Sequence, residues 1–231
     1  MSRFLIAFSF VASLTSAAAA DRIAPVQHFA QPPTAGASAE AAQLRIAPRP
    51  SRDVTRAQVR AKLASNRAAN LARFRAYQRK GMFPSNTYTG EKLNVWRDED
   101  GHFCAAATII RMSGQTALVD RVAEQTNFIR LADVKQGALM DWILTSGFTQ
   151  GEIAAIQEPM MPVTRNPIYV PEPGEPVNVE PDMRSVENQR LMKVYKQVDR
   201  MLVKNQKASL ELAVDRLMAH PELAARLVYN G

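Results

Sequence analysis

The chain has 231 residues, 46% of them apolar, with 29 Lys+Arg against 22 Asp+Glu for a formal charge of +7, and it contains one cysteine. That apolar fraction excludes wholesale disorder, and a lone cysteine excludes a disulfide scaffold or a cysteine-built zinc site. The length allows one domain or two small ones.

In chain order, Met1 to Ala20 reads as a secretory signal: a basic start at Arg3, an apolar stretch from Phe4 to Leu14, and Ala18-Ala19-Ala20 ahead of Asp21. The apolar stretch is about half of the roughly 20 residues that a membrane anchor requires. The expectation is a soluble exported protein, periplasmic or secreted, with no transmembrane segment in the mature chain. Residues 21–50, rich in Ala, Pro, Gln and Ser, read as a flexible leader.

From Asp53 to Lys80 there is no Pro or Gly, and Gly81 follows. This predicts a helix with Ser51 or Asp53 as N-cap. Ala57, Ala61, Ala64, Ala68 and Ala72 line one side, while Val59, Leu63, Phe74 and Tyr77 cluster on another. The alanine stripe would let a neighbouring helix approach closely.

Phe83-Pro84-Ser85-Asn86 breaks the helix, Leu93 to Trp96 suits a short extended piece, and Asp98-Glu99-Asp100-Gly101 makes a tight turn. His102 to Met112 mixes helix and strand formers, and the alanines after Cys104 favour helix. Thr116 to Gln125 and Ala138 to Thr145 read as further helices. Thr149 and Glu152 form a capping box that opens another from Gln150 to about Gln157. Residues 51–158 thus read as a mainly α, compact domain of short helices with a minor extended segment and a basic first helix.

Seven of the fourteen prolines lie between Glu158 and Pro181, so residues 159–181 read as an extended Pro-rich linker. Residues 182–231 read as a long amphipathic C-terminal helix, continuous to Ala219 and interrupted at His220-Pro221. Leu191, Val194, Val198, Met201, Asn205, Ala208 and Leu212 follow an alternating 3,4 spacing. Such a seam needs a cover: the protein's own domain, a second copy forming a homodimer through residues 191–212, or a foreign partner.

Cys104 is the candidate nucleophile, because a thiol at a helix start feels the positive end of the dipole. That placement resembles the nucleophile of papain-like and transglutaminase-like hydrolases, which also need a histidine base oriented by Asp or Asn. The chain offers only His28, His102 and His220. His102 lies two residues before the thiol, where side chains diverge, so a packed thiol competes with a catalytic one. Carboxylate pairs for general acid-base work could come from Asp98, Glu99 and Asp100 or from Asp133 and Asp141, without a spacing rule to select them. The acidic turn lacks the length and distal glutamate of an EF-hand loop, so neither a metal nor a cofactor site is expected.

Residues 45–80 carry eleven Lys+Arg against the single acid Asp53, whereas residues 81–158 carry six against ten. On the wheel Arg56, Arg60 and Arg67 group together and form the candidate binding surface for an anionic envelope component or an acidic protein face. Nucleic acid is disfavoured by export and by Phe74 and Tyr77 lying on the buried side.

Residues 74–157 resemble a family of uncharacterised exported bacterial proteins. The resemblance rests on Gly81 to Asn86, Asp98 to Gly101 leading into Cys104-Ala105-Ala106-Ala107, and Ser113-Gly114. It continues through Asn127, Asp133-Val134, Leu139-Met140-Asp141-Trp142 and Ser146-Gly147-Phe148-Thr149 to Ile156-Gln157. It implies an exported domain without an assigned activity, and it adds Asn127, Asp141 and Trp142 to the candidate binding residues. The functional expectation is an exported, non-enzymatic binding protein of the cell envelope, with a Cys104-dependent hydrolase or transferase acting on envelope peptide material as the alternative.

Overall fold

The computed structural model describes residues 53–169 and 178–230. The expected signal segment, the leader, His28, Ser51 and the middle of the Pro-rich stretch lie outside the described residues.

Helix α1 (Arg56–Lys80) starts where Thr55 and Gln58 form a capping box, and it stops at Gly81, whose φ of 64° suits a residue without Cβ. Its buried stripe is Val59, Leu63, Arg67, Asn70, Phe74 and Tyr77. Ala57, Ala61, Ala68 and Ala72 are exposed and Ala64 is half-buried, so the alanine stripe does not receive a helix among the described residues. The expected close approach occurs elsewhere, where the turn at Gly147 lies against Leu63 and Arg67.

Helix α2 (Ala105–Met112) packs on α1 and α3 (Thr116–Gln125) packs on α2; α4 (Ala138–Thr145) and α5 (Gln150–Ile156) follow, with a 3-10 turn at Leu131–Asp133. Extended residues make only isolated bridges among the described residues: Arg97 with Phe103, Leu93 with Met160 and Asn86 with Pro162. The fold is mainly α, as composition and spacing predict. Trp96 anchors the short extended piece, fully buried, with its indole N–H donating to the Val119 carbonyl at 3.0 Å.

The start of the Pro-rich stretch is extended, but it is a wall of the core rather than a tether. Met160 exchanges main-chain hydrogen bonds with Leu93 at 2.8 and 3.0 Å, and neither Met160 nor Val163 has exposed surface. Residues 53–169 and 178–230 accordingly belong to one unit.

The C-terminal region is three helices: α6 (Pro181–Lys204), α7 (Gln206–Met218) and α8 (Pro221–Asn230). The interruption at His220-Pro221 is as expected, whereas the break at Asn205 corrects the expected continuous helix. It also ends the 3,4 seam. Leu191 and Val198 are buried and Val194 and Met201 half-buried, but Asn205, Ala208 and Leu212 face outward. After the break, Leu210, Ala213, Val214 and Leu217 turn inward, and α7 packs along α1. The first half of the seam, Leu191 to Met201, is thus covered by the protein's own domain, and the second half is not. Phe74 and Tyr77 of α1 meet Tyr195 of α6 edge to face, with ring centroids 5.6 and 5.7 Å apart, a geometry worth about 0.5–1.5 kcal/mol per pair beyond area burial.

Candidate functional site

The three arginines expected to form an anion-binding face are occupied within the fold. Arg56 pairs with Asp215 and, at 3.0 Å, with Glu211; Arg60 Nε reaches Glu211 at 2.6 Å. Arg75 pairs with Asp199 at 2.8 Å. Arg56, Arg60 and Arg75 of α1 therefore neutralise acids on α6 and α7, whereas Arg73, Arg79 and Lys80 have no ion-pair partner among the described residues.

Arg67 is buried, because helix geometry places it between Leu63 and Asn70 on the inward stripe. Its guanidinium donates to Glu152 at 2.7 and 2.8 Å, to the Gly147 carbonyl at 3.0 Å and to the Leu202 carbonyl at 2.8 Å, and it lies over the Phe148 ring. Beside it, Asn66 and Asn70 donate to the carbonyls of Thr145 and Ser146 at 2.8 and 2.9 Å. These side chains satisfy carbonyls at the C-terminal ends of α4 and α6 that no helix can bond internally. The charges suit the helix dipoles: a cation at two C-terminal ends, and Glu152 in the first turn of α5. Burial by itself would raise the Glu152 carboxyl. The Arg67 fork, the Thr149 N–H and the Ser209 hydroxyl outweigh burial and hold it below the ordinary carboxylate range.

Cys104 is the N-cap of α2, and its Sγ accepts the Ala107 N–H at 3.4 Å. The helix start would lower its pKa, but the residue is 0% exposed, and burial dominates, pushing the thiol up to about 12. A neutral, enclosed thiol is the opposite of the activated nucleophile that the helix position suggests. His102 does not face it; its Nδ1 lies 3.2 Å from Asp98 Oδ2.

Asn127, Trp142 and Asp141 do not share one site with Cys104. Asn127 completes the extended piece: Nδ2 donates to the Arg97 carbonyl at 2.8 Å, Oδ1 accepts the Arg97 N–H at 3.0 Å, and its own carbonyl accepts the Trp96 N–H. Trp142 is buried and its indole N–H donates to Ser113 Oγ at 2.9 Å. Asp141 is partly exposed and lies 3.4 Å from Arg226 of α8.

The acidic turn is a local lock. Asp98 accepts the N–H groups of Ser85 and His102 at 2.9 and 2.7 Å, while Gly101, with φ of 79°, closes the turn onto the Asp98 carbonyl. Carboxylate and imidazole atoms of Asp98, Asp100 and His102 come within 4.8 Å of one another, but the buried Asp98 is already engaged by these donors. Between α3 and α4 a shallow groove of about 460 Å³ is floored by Val122 and Leu139 and rimmed by Arg121, Arg130 and Lys135.

The largest uncompensated charge on one element lies on α6. Lys193, Lys196, Arg200 and Lys204 are exposed, followed by Lys207 just beyond the break, and none has an ion-pair partner among the described residues. At 100° per residue the four α6 cations fall within about 80°, opposite the buried Leu191, Tyr195, Val198 and Leu202. All three acids of α6 are engaged: Asp182 with Arg165, Glu187 with Arg190 and Asp199 with Arg75. The 3,4,4,3 spacing of these cations is present in the sequence. The denser run at residues 45–80 obscures it, because sequence alone does not reveal which charges have partners.

No family model, curated protein or solved structure matches the chain.

Proposed function

We propose that this is an exported protein of the cell envelope that acts by binding rather than by catalysis, and that an anionic envelope component meets the cationic face of α6. The observation that carries the reading is the partition of charge. The arginines Arg56, Arg60, Arg67 and Arg75 of α1 are tied to acids within the fold, while Lys193, Lys196, Arg200 and Lys204 pair with no acid among the described residues. The signal-like residues 1–20 and the resemblance over residues 74–157 support export. The buried thiol of Cys104 gives the hydrolase alternative no support.

The test is salt elution from a heparin matrix, supplemented by fractionation of cells expressing the full chain. K193Q/K196Q/R200Q/K204Q should elute at clearly lower salt than the parent, and R56Q/R60Q should shift elution less. Equal elution of parent and quadruple variant, or retention of the full chain in the cytoplasm, overturns the reading.

A further inference from the structure

The α6 face carries more than charge. Met192 and Val203 are 43% and 47% exposed on this helix, and on the wheel they lie within about 40° of Lys196. The cations and these two apolar side chains form one strip on the outward side of α6.

Three features describe the surface that such a strip fits. The cations are strung along a convex helix over about 16 Å from Lys193 to Lys204 rather than converging on a point. None is buried, so no compact anion is enclosed by them. Most are lysines, which act as hydrated point charges and lack the bidentate fork that selects a fixed phosphate or carboxylate geometry. An extended, laterally mobile array of anionic headgroups satisfies spaced point charges without requiring shape, and exposed apolar side chains among the cations can enter its interfacial layer. Single-stranded nucleic acid would call for aromatic stacking, yet the one aromatic residue of α6, Tyr195, is fully buried.

We propose that α6 docks lengthwise on an anionic phospholipid bilayer, with Lys193, Lys196, Arg200 and Lys204 against the headgroups and Met192 and Val203 inserted between them. This inference rests on the anion-binding reading above and names its partner. Lys207 extends the strip past Asn205. The buried side of α6 stays packed on α1 throughout, so docking requires neither unfolding nor release of the helix.

The test is co-sedimentation of the protein with vesicles of equal parts phosphatidylglycerol and phosphatidylcholine, against pure phosphatidylcholine, with heparin elution measured in parallel. The parent should sediment with the anionic vesicles only, and added salt should weaken the association. K193Q/K196Q/R200Q/K204Q should bind them at least about a hundredfold more weakly, since each cation near an anionic surface contributes substantially. M192S/V203S should weaken vesicle binding severalfold while leaving heparin elution unchanged. Thermal melts by circular dichroism should show both variants folded, because all six positions are exposed. Heparin retention without vesicle binding overturns the bilayer inference and leaves the anion-binding reading standing. So does binding to duplex DNA in place of vesicles. Loss of both interactions in the parent overturns both proposals.

Discussion

The Arg67 guanidinium and the Glu152 carboxylate form a two-pronged ion pair, 2.7 and 2.8 Å long, with side-chain exposures of only 3% and 5%. The pair sits where the C-terminal ends of α4 and α6 meet the first turn of α5. Removing either partner leaves a buried charge without its counter-charge. Arg67→Met also strands the Gly147 and Leu202 carbonyls. Each of Arg67→Met and Glu152→Leu should therefore destabilise the protein by about 3–5 kcal/mol, and the double variant by less than their sum. Urea unfolding of the three variants measures this directly; additive single losses would show that the two side chains do not act as a unit.

The same pair sets a direction for pH dependence. Because Arg67, Thr149 and Ser209 outweigh the effect of burial and lower the Glu152 pKa from its ordinary 4.5, the unfolded chain takes up this proton before the folded one does. The stabilisation is present above the unfolded value and is lost as pH falls through the folded value. Parent stability should thus fall on acidification below about 4.5, and the gap between parent and Glu152→Gln should narrow over that interval. Stability curves at neutral and acidic pH provide the check, and a gap that widens on acidification contradicts the assignment.

Gly147 explains why α4 turns so closely against α1. Its φ is 81°, and a Cβ there would lie 2.2 Å from the Leu63 carbonyl oxygen and 2.8 Å from the Arg67 main-chain nitrogen. Gly147→Ala would meet backbone that cannot rotate away, in addition to a strain of order 1–3 kcal/mol from the left-handed conformation. Gly114→Ala, with φ of 92° and nothing within 4 Å of the added carbon, carries the conformational cost alone. Gly147→Ala should be the more destabilising by at least about 1–3 kcal/mol. Thermal or urea unfolding ranks the two.

The local rules that set these helices are visible in the sequence. Thr149 with Glu152, Ser113-Gly114 and Gly81 mark helix ends that the structure retains. Non-local pairing is not visible. Arg67 falls on the same wheel sector as Arg56 and Arg60, so spacing groups three cations that the fold separates into one buried residue and two exposed ones. Glu152 lies 85 residues away, and its role depends on how α5 docks. The break at Asn205 has no proline or glycine to announce it. There Arg67 takes up the Leu202 carbonyl, a bond supplied from another helix.

Cys104 gives the most direct chemical test of burial. With no exposed surface and its thiol pushed up to about 12 by that burial, it should resist iodoacetamide at neutral pH until the chain unfolds. Alkylation should follow the global unfolding curve in urea, as read by mass spectrometry. Rapid labelling of the native protein would overturn the enclosed-thiol assignment and restore the nucleophile.

Asn127 and Asp141, both singled out by the sequence, should respond very differently to exchange of amide and acid. Asn127 uses both ends of its amide on Arg97, accepting its N–H and donating to its carbonyl. Asn127→Asp preserves shape and the accepting oxygen, but it places a carboxylate oxygen against the Arg97 carbonyl, where two acceptors face each other without a proton. The cost should be of order 1–3 kcal/mol at neutral pH and should diminish as the new carboxyl is protonated, since the acid form can donate again. Asp141 and Arg226 are 49% and 63% exposed and 3.4 Å apart. An exposed pair of this kind contributes about 0–1 kcal/mol, so Asp141→Asn should fall at the low end. Urea unfolding of both variants at neutral and acidic pH separates the cases. Equal losses, or an Asn127→Asp loss that does not respond to acid, would contradict Asn127 as the amide clamp on the Trp96-Arg97 main chain.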